Sequence, residues 1–381
     1  MTASNPPLYL STDRHATWLE LFFDLVFVAV IGAVTHDLAH THEGHISAEQ
    51  LLRFPLVFIP VWWIWMSHTL YANRFDRDDR WHRFITLMIM AGVVLMSTFS
   101  AASLKGDFSE YAATYITVRL VLAAMYYGAY RREQPQQLWV REVAGIITLG
   151  ALVSGVAMAL EGEARFFVFY LGIALDIGWQ AYVRGRTEQH QVDRAHLVER
   201  VGLMIIILLG ESIIAIVGSL SEVDWTPLRV ASAIGGFAFI WGFWWIYYDS
   251  FPLLERARRL SSGNLLALSH LFLCMGLLLL ANMIRHTILN DLDRPTFALF
   301  AITGMMAFYL GKQMPYWQVF PPWRAGILFN SLVCIGITVG SVFLPNIQLA
   351  LLGMCSGIAV YLLLSFRMLQ SCPVDDYLVQ H

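Results

Sequence analysis

Twelve apolar stretches, each about as long as a membrane-crossing helix, constrain the fold of this 381-residue chain more than any other feature. An α-helix needs about 20 apolar residues to cross the hydrocarbon core of a bilayer. The stretches cover approximately residues 17–38, 51–72, 84–104, 111–130, 139–160, 166–183, 197–220, 230–248, 265–286, 297–314, 325–344 and 349–369. The sequence therefore predicts an all-α polytopic membrane protein of about twelve transmembrane helices.

Composition excludes two other classes of protein. Only 14% of the residues are charged, whereas a water-soluble globular domain carries roughly a quarter. The formal net charge of -3 provides no basic surface for a phosphate backbone, so we expect no nucleic-acid partner. The lipid bilayer is the predicted environment of most of the surface. No small-residue cleavage site precedes the first stretch, and we expect that stretch to be retained as a helix.

The distribution of positive charge predicts the orientation. Most of the 25 Lys and Arg residues lie in the N-terminal segment or in loops after even-numbered stretches, Lys312 and Arg324 among them. Cytoplasmic loops retain positive charge. This asymmetry places both termini in the cytoplasm, which requires an even number of helices.

Similar segments recur in the same order in the two halves of the chain. The Trp-Trp-Ile-Trp segment at 62–65 resembles the Trp-Trp-Ile-Tyr segment at 244–247. Glu20 in the first stretch has a counterpart at Glu199 in the seventh. We expect two parallel six-helix repeats at 15–190 and 191–370, flanked by tails at 1–14 and 371–381.

Ionisable residues inside the apolar stretches are the candidate working groups, since each costs at least about 2.5 kcal/mol at a helix centre. Glu20 and Asp24 share one helical face at i and i+4, which suits proton binding or cation coordination. Glu211 lies halfway along the seventh stretch. Salt bridges or hydrogen bonds within the bundle are the structural alternative for all three. Arg119 requires a carboxylate partner or a water-filled cavity. The candidate partners are Glu20, Asp24, Asp176 and Glu211, and such a pair could be either a structural lock or a substrate-anion clamp.

A second set of polar residues lies nearer the predicted cytoplasmic helix ends. Snorkelling or helix capping is the expected role of these side chains, namely Asp249, His68, His196, Arg200 and His270. Glu199 and Arg200 are adjacent, and we expect them to form a structural or gating pair.

A histidine-rich segment leaves the first stretch on the opposite side. His36 and His40 at i and i+4 can share one metal ion, with Asp37 or His45 as a third ligand. A hydrated, pH-sensitive loop is the alternative. A divalent metal at His36, Asp37 and His40 is thus a candidate ligand, and no other cofactor is implied. Because Walker, G-x-G-x-x-G and G-x-S-x-G motifs are absent from the sequence, we assign no catalytic residue.

Two segments carry a family resemblance. Residues 15–28, which contain Glu-Leu-Phe-Phe-Asp-Leu-Val-Phe-Val, resemble the opening signature of the bacterial low temperature requirement protein A family. Residues 196–202 and 209–213 resemble its mid-chain block. The resemblance implies a multi-pass protein of the bacterial inner membrane, in a family named for a growth phenotype in the cold. It singles out Glu20, Asp24, Glu199, Arg200, Glu211 and Ser212 but gives none of them a role.

The leading functional hypothesis is a secondary transporter or permease for an unidentified small solute or ion. Glu20, Asp24 and Glu211 would bind the coupling proton or cation, with Arg119 as their charge partner. The first alternative is a membrane-embedded enzyme that acts on a lipid or hydrophobic substrate at the His36 and His40 site. The second is a non-catalytic membrane stress or assembly factor.

Overall fold

The computed structural model of the chain is all-α, and it describes residues 15–35, 38, 41, 44–75, 79–99, 108–133, 138–183, 193–256 and 263–371. Twelve α-helices lie in these ranges, which confirms the predicted count. They are α1 (Trp18–Thr35), α2 (Ala48–Phe75), α3 (Arg80–Thr98), α4 (Phe108–Glu133), α5 (Leu138–Val156), α6 (Glu163–Tyr182), α7 (Arg194–Ser221), α8 (Pro227–Arg256), α9 (Asn264–Leu289), α10 (Arg294–Val319), α11 (Arg324–Ser341) and α12 (Ile347–Ser371).

Local sequence signals explain several helix boundaries. Asp79 caps α3 by accepting a hydrogen bond from the backbone N–H of His82 at 2.7 Å. Asp293 caps α10 in the same way through Thr296, at 3.1 Å. The helix α10 then continues through Pro315 and ends at Val319, five residues beyond the predicted end of the tenth stretch. Proline is tolerated inside membrane helices because neighbouring groups satisfy the freed carbonyl.

The apolar character of the helices suits a bilayer. By length and composition, nine of the twelve helices in the described part of the chain can cross a membrane, and α4, α6 and α10 are the other three. Large apolar side chains are well exposed on the protein surface, for example Phe167, Ile214 and Phe343. A surface of this kind is stable in contact with lipid but not with water.

The chain divides into two compact units, each of which includes segments from both halves of the sequence. Unit 1 comprises the described residues of Met1–Phe27, Pro60–Leu203 and Ser261–Asn264. Within it, α5 and α6 approach so closely that a Cβ on Gly172 would lie 2.4 Å from the carbonyl oxygen of Gly150 and 2.3 Å from Ser154 Oγ. Small residues allow this close backbone contact between membrane helices.

Unit 2 comprises the described residues of Val28–Ile59, Met204–Leu260 and Leu265–His381. Its helices α9 and α10 are in similarly close contact at Gly276 and Gly311. The helix α12 packs against both α8 and α11. The predicted division into two six-helix repeats remains a prediction.

The contact between α5 and α6 generates a stability prediction. We expect Gly172→Ala to lower the free energy of unfolding by about 1–3 kcal/mol, because the new methyl group would overlap the backbone of α5. Gly178→Ala is the matched control on the same helix, because a Cβ there meets nothing within 4 Å. The control should be neutral or stabilising by up to about 1 kcal/mol. Thermal unfolding in detergent measures both variants, and equal effects would contradict the packing described.

Candidate functional site

Arg200 of α7 contacts both acidic residues of α1 inside unit 1. Its Nε and Nη2 atoms donate to the two carboxylate oxygens of Asp24, at 3.1 and 2.6 Å. Its Nη1 lies 2.8 Å from Glu20 Oε1. All three side chains are at most 2% exposed. The i, i+4 spacing of Glu20 and Asp24 thus places both carboxylates beside one guanidinium, which binds Asp24 in the two-pronged geometry that arginine favours.

Neutral donors complete this site, which we call the α1–α7 cluster (Glu20, Asp24, Trp65, His196 and Arg200). Trp65 of α2 donates its indole N–H to Asp24 at 2.8 Å. His196 Nε2 lies 3.3 Å from Glu20 Oε2, which also accepts from the backbone N–H of Thr17 at 2.8 Å. The carboxylates are therefore held by hydrogen bonds as well as by the ion pair.

The hydrogen bonds of Asn73 define the tautomer of His196. The backbone N–H of Asp193 donates to Asn73 Oδ1 at 2.9 Å, so the Nδ2 of Asn73 is the atom that faces His196 Nδ1, at 3.0 Å. An imidazole nitrogen that accepts from an amide carries no proton. The ring proton of His196 is consequently on Nε2, and a neutral imidazole donates it to Glu20.

A second buried ion pair joins α4 to α6 in unit 1. Arg119 contacts the carboxylate of Asp176, and both side chains are at most 2% exposed. Trp63 Nε1 donates to the same carboxylate at 2.7 Å, and Arg119 donates to Ser67 Oγ at 2.8 Å. Of the four partners considered from the sequence, Arg119 therefore pairs with Asp176. It does not pair with Glu20, Asp24 or Glu211, so the expected charge partnership with these three acids is not observed.

The residues expected to snorkel or cap are mostly buried instead. His196 and Arg200 are enclosed because α1 provides carboxylates for them. His68 stacks on Phe23 with ring centroids 4.1 Å apart, and His270 lies 2.9 Å from the hydroxyl of Tyr247. Asp249 is exposed, as the sequence suggested.

The structure does not bring the adjacent residues Glu199 and Arg200 together as an ion pair. Successive residues of a helix point in different directions, and Glu199 contacts His15 at 3.6 Å while Arg200 points toward α1. The predicted gating pair is therefore not formed in this structure.

Glu211 differs from the other intramembrane acids. It lies in unit 2, in the middle of α7, and its side chain is partly buried. A Cβ on Gly32 of α1 would lie 2.9 Å from Glu211 Oε1, so the carboxyl group occupies the space above that glycine. Among the described residues, Glu211 has neither an ion pair nor a hydrogen-bond partner for its side chain. The neighbouring hydroxyl of Ser212 donates to the Leu208 carbonyl instead.

The predicted metal site falls on residues that the structure does not describe. His36, Asp37 and His40 lie outside the described residues. In the ranges that are described, no group of three His, Cys, Asp or Glu residues could hold a metal ion. A metal at His36, Asp37 and His40, and with it the enzyme hypothesis, stays a prediction from the sequence.

Unit 2 contains a cavity that the sequence interpretation missed. Its volume is about 640 Å³, and its walls come from α8, α10, α11, α12 and the turn before α11. Lys312 lines it and is buried, although we expected this residue in a cytoplasmic loop. The predicted tenth stretch at 297–314 already contained Lys312, so the error came from counting a charge near the end of a stretch with the loop that follows it.

The comparison with known families agrees with the resemblance seen in the sequence. Residues 15–365 match the family described as bacterial low temperature requirement A protein. The chain belongs to this family. The matched range includes the α1–α7 cluster, the Arg119 and Asp176 pair, Glu211 and Lys312.

A curated relative adds no activity to this family assignment. The chain is 25% identical over 252 residues to an uncharacterized protein of Rhizobium meliloti (strain 1021). The similar region is 62% of this chain and spans 59% of the length of that protein.

Arg119 and Asp176 provide a test of buried ion pairing. We expect Arg119→Met and Asp176→Leu each to lower the free energy of unfolding by about 3–5 kcal/mol, because each leaves a buried charge without its partner. The double variant should lose about 1–3 kcal/mol less than the sum. Arg285→Met and Glu222→Gln are the control pair, at 3.2 Å on the surface, with an expected coupling below about 1 kcal/mol. Purely additive losses for Arg119 and Asp176 would contradict the direct pairing.

Proposed function

We propose that this protein is a secondary transporter of the bacterial inner membrane with both termini in the cytoplasm. In this proposal it moves a small solute or ion, and intramembrane carboxylates bind the coupling proton or cation. The observation that carries the proposal is Glu211, a carboxyl group in the middle of an apolar 28-residue helix with no partner for its charge among the described residues.

The position of Glu211 suits reversible binding. An ionised carboxylate inside the hydrocarbon layer is costly unless a cation, a proton or water compensates it. The paired acids of unit 1 have permanent partners, whereas Glu211 would obtain compensation only from a mobile species. Gly32 leaves space beside its carboxyl oxygen, where a larger residue of α1 would collide with it. A proton or a small cation that binds to the Glu211 carboxyl group would therefore lie at the contact between α1 and α7.

The α1–α7 cluster would serve as a second titrating site in this proposal. Glu20 and Asp24 share the guanidinium of Arg200, so a proton on one carboxylate leaves the other in contact with the arginine. Protonation of one carboxylate would therefore not leave Arg200 without a counter-ion. Arg119, in contrast, is assigned to a structural lock between α4 and α6.

A contact between a glycine and a serine occurs in both halves of the chain and supports the two six-helix repeats of the transporter hypothesis. A Cβ on Gly172 of α6 would lie 2.3 Å from Ser154 Oγ of α5, and a Cβ on Gly353 of α12 would lie 2.5 Å from Ser341 Oγ of α11. The last helix of each proposed repeat thus contacts its predecessor through the same pair of residue types. Internal repeats are common in secondary transporters.

The non-catalytic alternative receives less support. A structural role for the intramembrane acids requires that each be neutralised by a local partner. Asp24, Glu20 and Asp176 meet this condition, but Glu211 does not within the described part of the chain. This difference favours transport over a purely structural membrane factor.

Proton flux in proteoliposomes tests the proposal. Purified protein is reconstituted with an internal pH-sensitive dye, and a panel of ions and small solutes is added outside. We expect at least one solute to drive proton movement in the wild-type protein. The rate should fall at least tenfold in Glu211→Gln, which retains the shape of the side chain but cannot ionise. Glu211→Asp, which can still ionise, should retain part of the flux.

The matched control is Glu222→Gln, which removes an exposed carboxylate just after the same helix. It should leave the flux unchanged. A Glu211→Gln protein as active as the wild type would contradict the assigned role of Glu211. If the wild-type liposomes were no faster than protein-free liposomes with every solute, the transporter proposal itself would fail.

A further inference from the structure

Lys312 is a buried cation that faces the cavity of unit 2 without an acidic partner. It lies in α10 and is only 7% exposed. Its Nζ is 4.4 Å from the ring centroid of Tyr316, which provides a cation–π contact, and 3.3 Å from the hydroxyl oxygen of Tyr361. In the described part of the chain no carboxylate lies within 4 Å of this ammonium group. A cation in such a place favours an anion beside it.

The hydrogen bonds around Lys312 leave an excess of donors. Ser331 donates its hydroxyl proton to the carbonyl of Ile327, so it accepts from Gln313 Nε2 at 3.0 Å. This orients the Gln313 amide, and the same Nε2 donates to the Tyr361 hydroxyl at 2.7 Å. The oxygen of Tyr361 therefore accepts from Gln313 and Lys312, while its own proton has no acceptor among the described residues. The phenol O–H of Tyr361 and the remaining N–H donors of the Lys312 ammonium group thus have no acceptor among the described residues.

The rest of the cavity wall is apolar and largely aromatic. Trp241 and Trp245 of α8, Trp323 in the turn before α11 and Phe366 of α12 contribute to it. Asp249, the acidic residue of the lining, is exposed and lies more than 4 Å from the ammonium group of Lys312. The cavity therefore combines one positive, donor-rich point with a hydrophobic wall that suits a flat apolar body.

We propose that this cavity binds a small organic anion with an aromatic or similarly compact apolar body. Its anionic group contacts Lys312 and the hydroxyl of Tyr361, and its body packs against the tryptophans of α8. A volume of about 640 Å³ is in the range of sites for single small molecules. The site is a binding site whether or not its ligand is the transported solute, so the inference goes beyond the proposed function.

Three probes with one ring system and different charges test the site. We choose 1-naphthoate, its neutral counterpart 1-naphthamide and the cationic 1-naphthylmethylammonium. Binding to the full chain in a neutral maltoside detergent is measured by isothermal titration calorimetry. We expect saturable binding of naphthoate, with naphthamide at least tenfold weaker and the cation weaker still.

Variants of the two anion-binding groups then locate the contact. Lys312→Met should weaken naphthoate binding at least tenfold, while Lys312→Arg, which preserves the charge, should remain within a few-fold of the wild type. Tyr361→Phe retains Lys312 and removes one donor, and it should weaken naphthoate binding three- to tenfold even if Lys312→Met does not fold. Arg367→Met is the matched control, because it removes an exposed cation from α12 and should change nothing.

Several results would overturn the proposal. Equal binding of naphthoate and naphthamide would show that the cavity is apolar and does not select for charge. Preferred binding of the cation would show that Asp249 and the aromatic rings, and not Lys312, determine which ligand the cavity binds. Absence of saturable binding by all three probes would refute the site. A lipid occupant is distinguished by competition, because phosphatidylglycerol would then displace naphthoate at concentrations at which phosphatidylcholine does not. That outcome would also overturn the assignment to a small organic anion.

Discussion

The contact of Arg200 with Glu20 and Asp24 is the interaction on which unit 1 depends most. It joins the first part of α1 to the first part of α7, and Trp65 adds α2 to the same site. A guanidinium buried among membrane helices is stable only with such partners, and its planar fork binds both carboxylate oxygens of Asp24. The three helices are therefore held in one register by charge as well as by packing.

The requirement that a charge among membrane helices be compensated also applies to two charged residues that lack an oppositely charged partner. Glu211 and Lys312 both lie in unit 2 and inside helices, yet neither contacts an oppositely charged residue in the described part of the chain. A charge that is retained in a membrane protein without a permanent partner indicates a mobile one. A proton or cation at Glu211 and an organic anion at Lys312 would each supply the missing compensation.

Sequence patterns predicted the helices better than their contacts. The number of helices follows from apolar length, and the predicted start of α1 at residue 17 is one residue from the observed one. The i, i+4 spacing placed Glu20 and Asp24 on one face, but it carried no information that Arg200, 176 residues later, would lie opposite Asp24. The choice of Asp176 for Arg119 likewise depends on how α4 and α6 pack. The position of Lys312 was misjudged because a cation near the end of an apolar stretch was counted with the cytoplasmic loop that follows it.

The central claim is that the acids of the α1–α7 cluster have permanent partners within the protein, whereas Glu211 and Lys312 have no oppositely charged partner in the described part of the chain, and unfolding free energies test it most directly. Purified Asp24→Asn, Glu211→Gln and Lys312→Met proteins are compared with the wild type in one detergent without added ligand. Asp24→Asn should lose about 1.5–3 kcal/mol, because it removes the charge-assisted hydrogen bonds from Arg200 while Glu20 remains as its counter-ion. The free energies of unfolding of Glu211→Gln and Lys312→Met should be no more than about 0.5 kcal/mol below that of the wild type. A loss in Glu211→Gln and Lys312→Met as large as that in Asp24→Asn would contradict this claim.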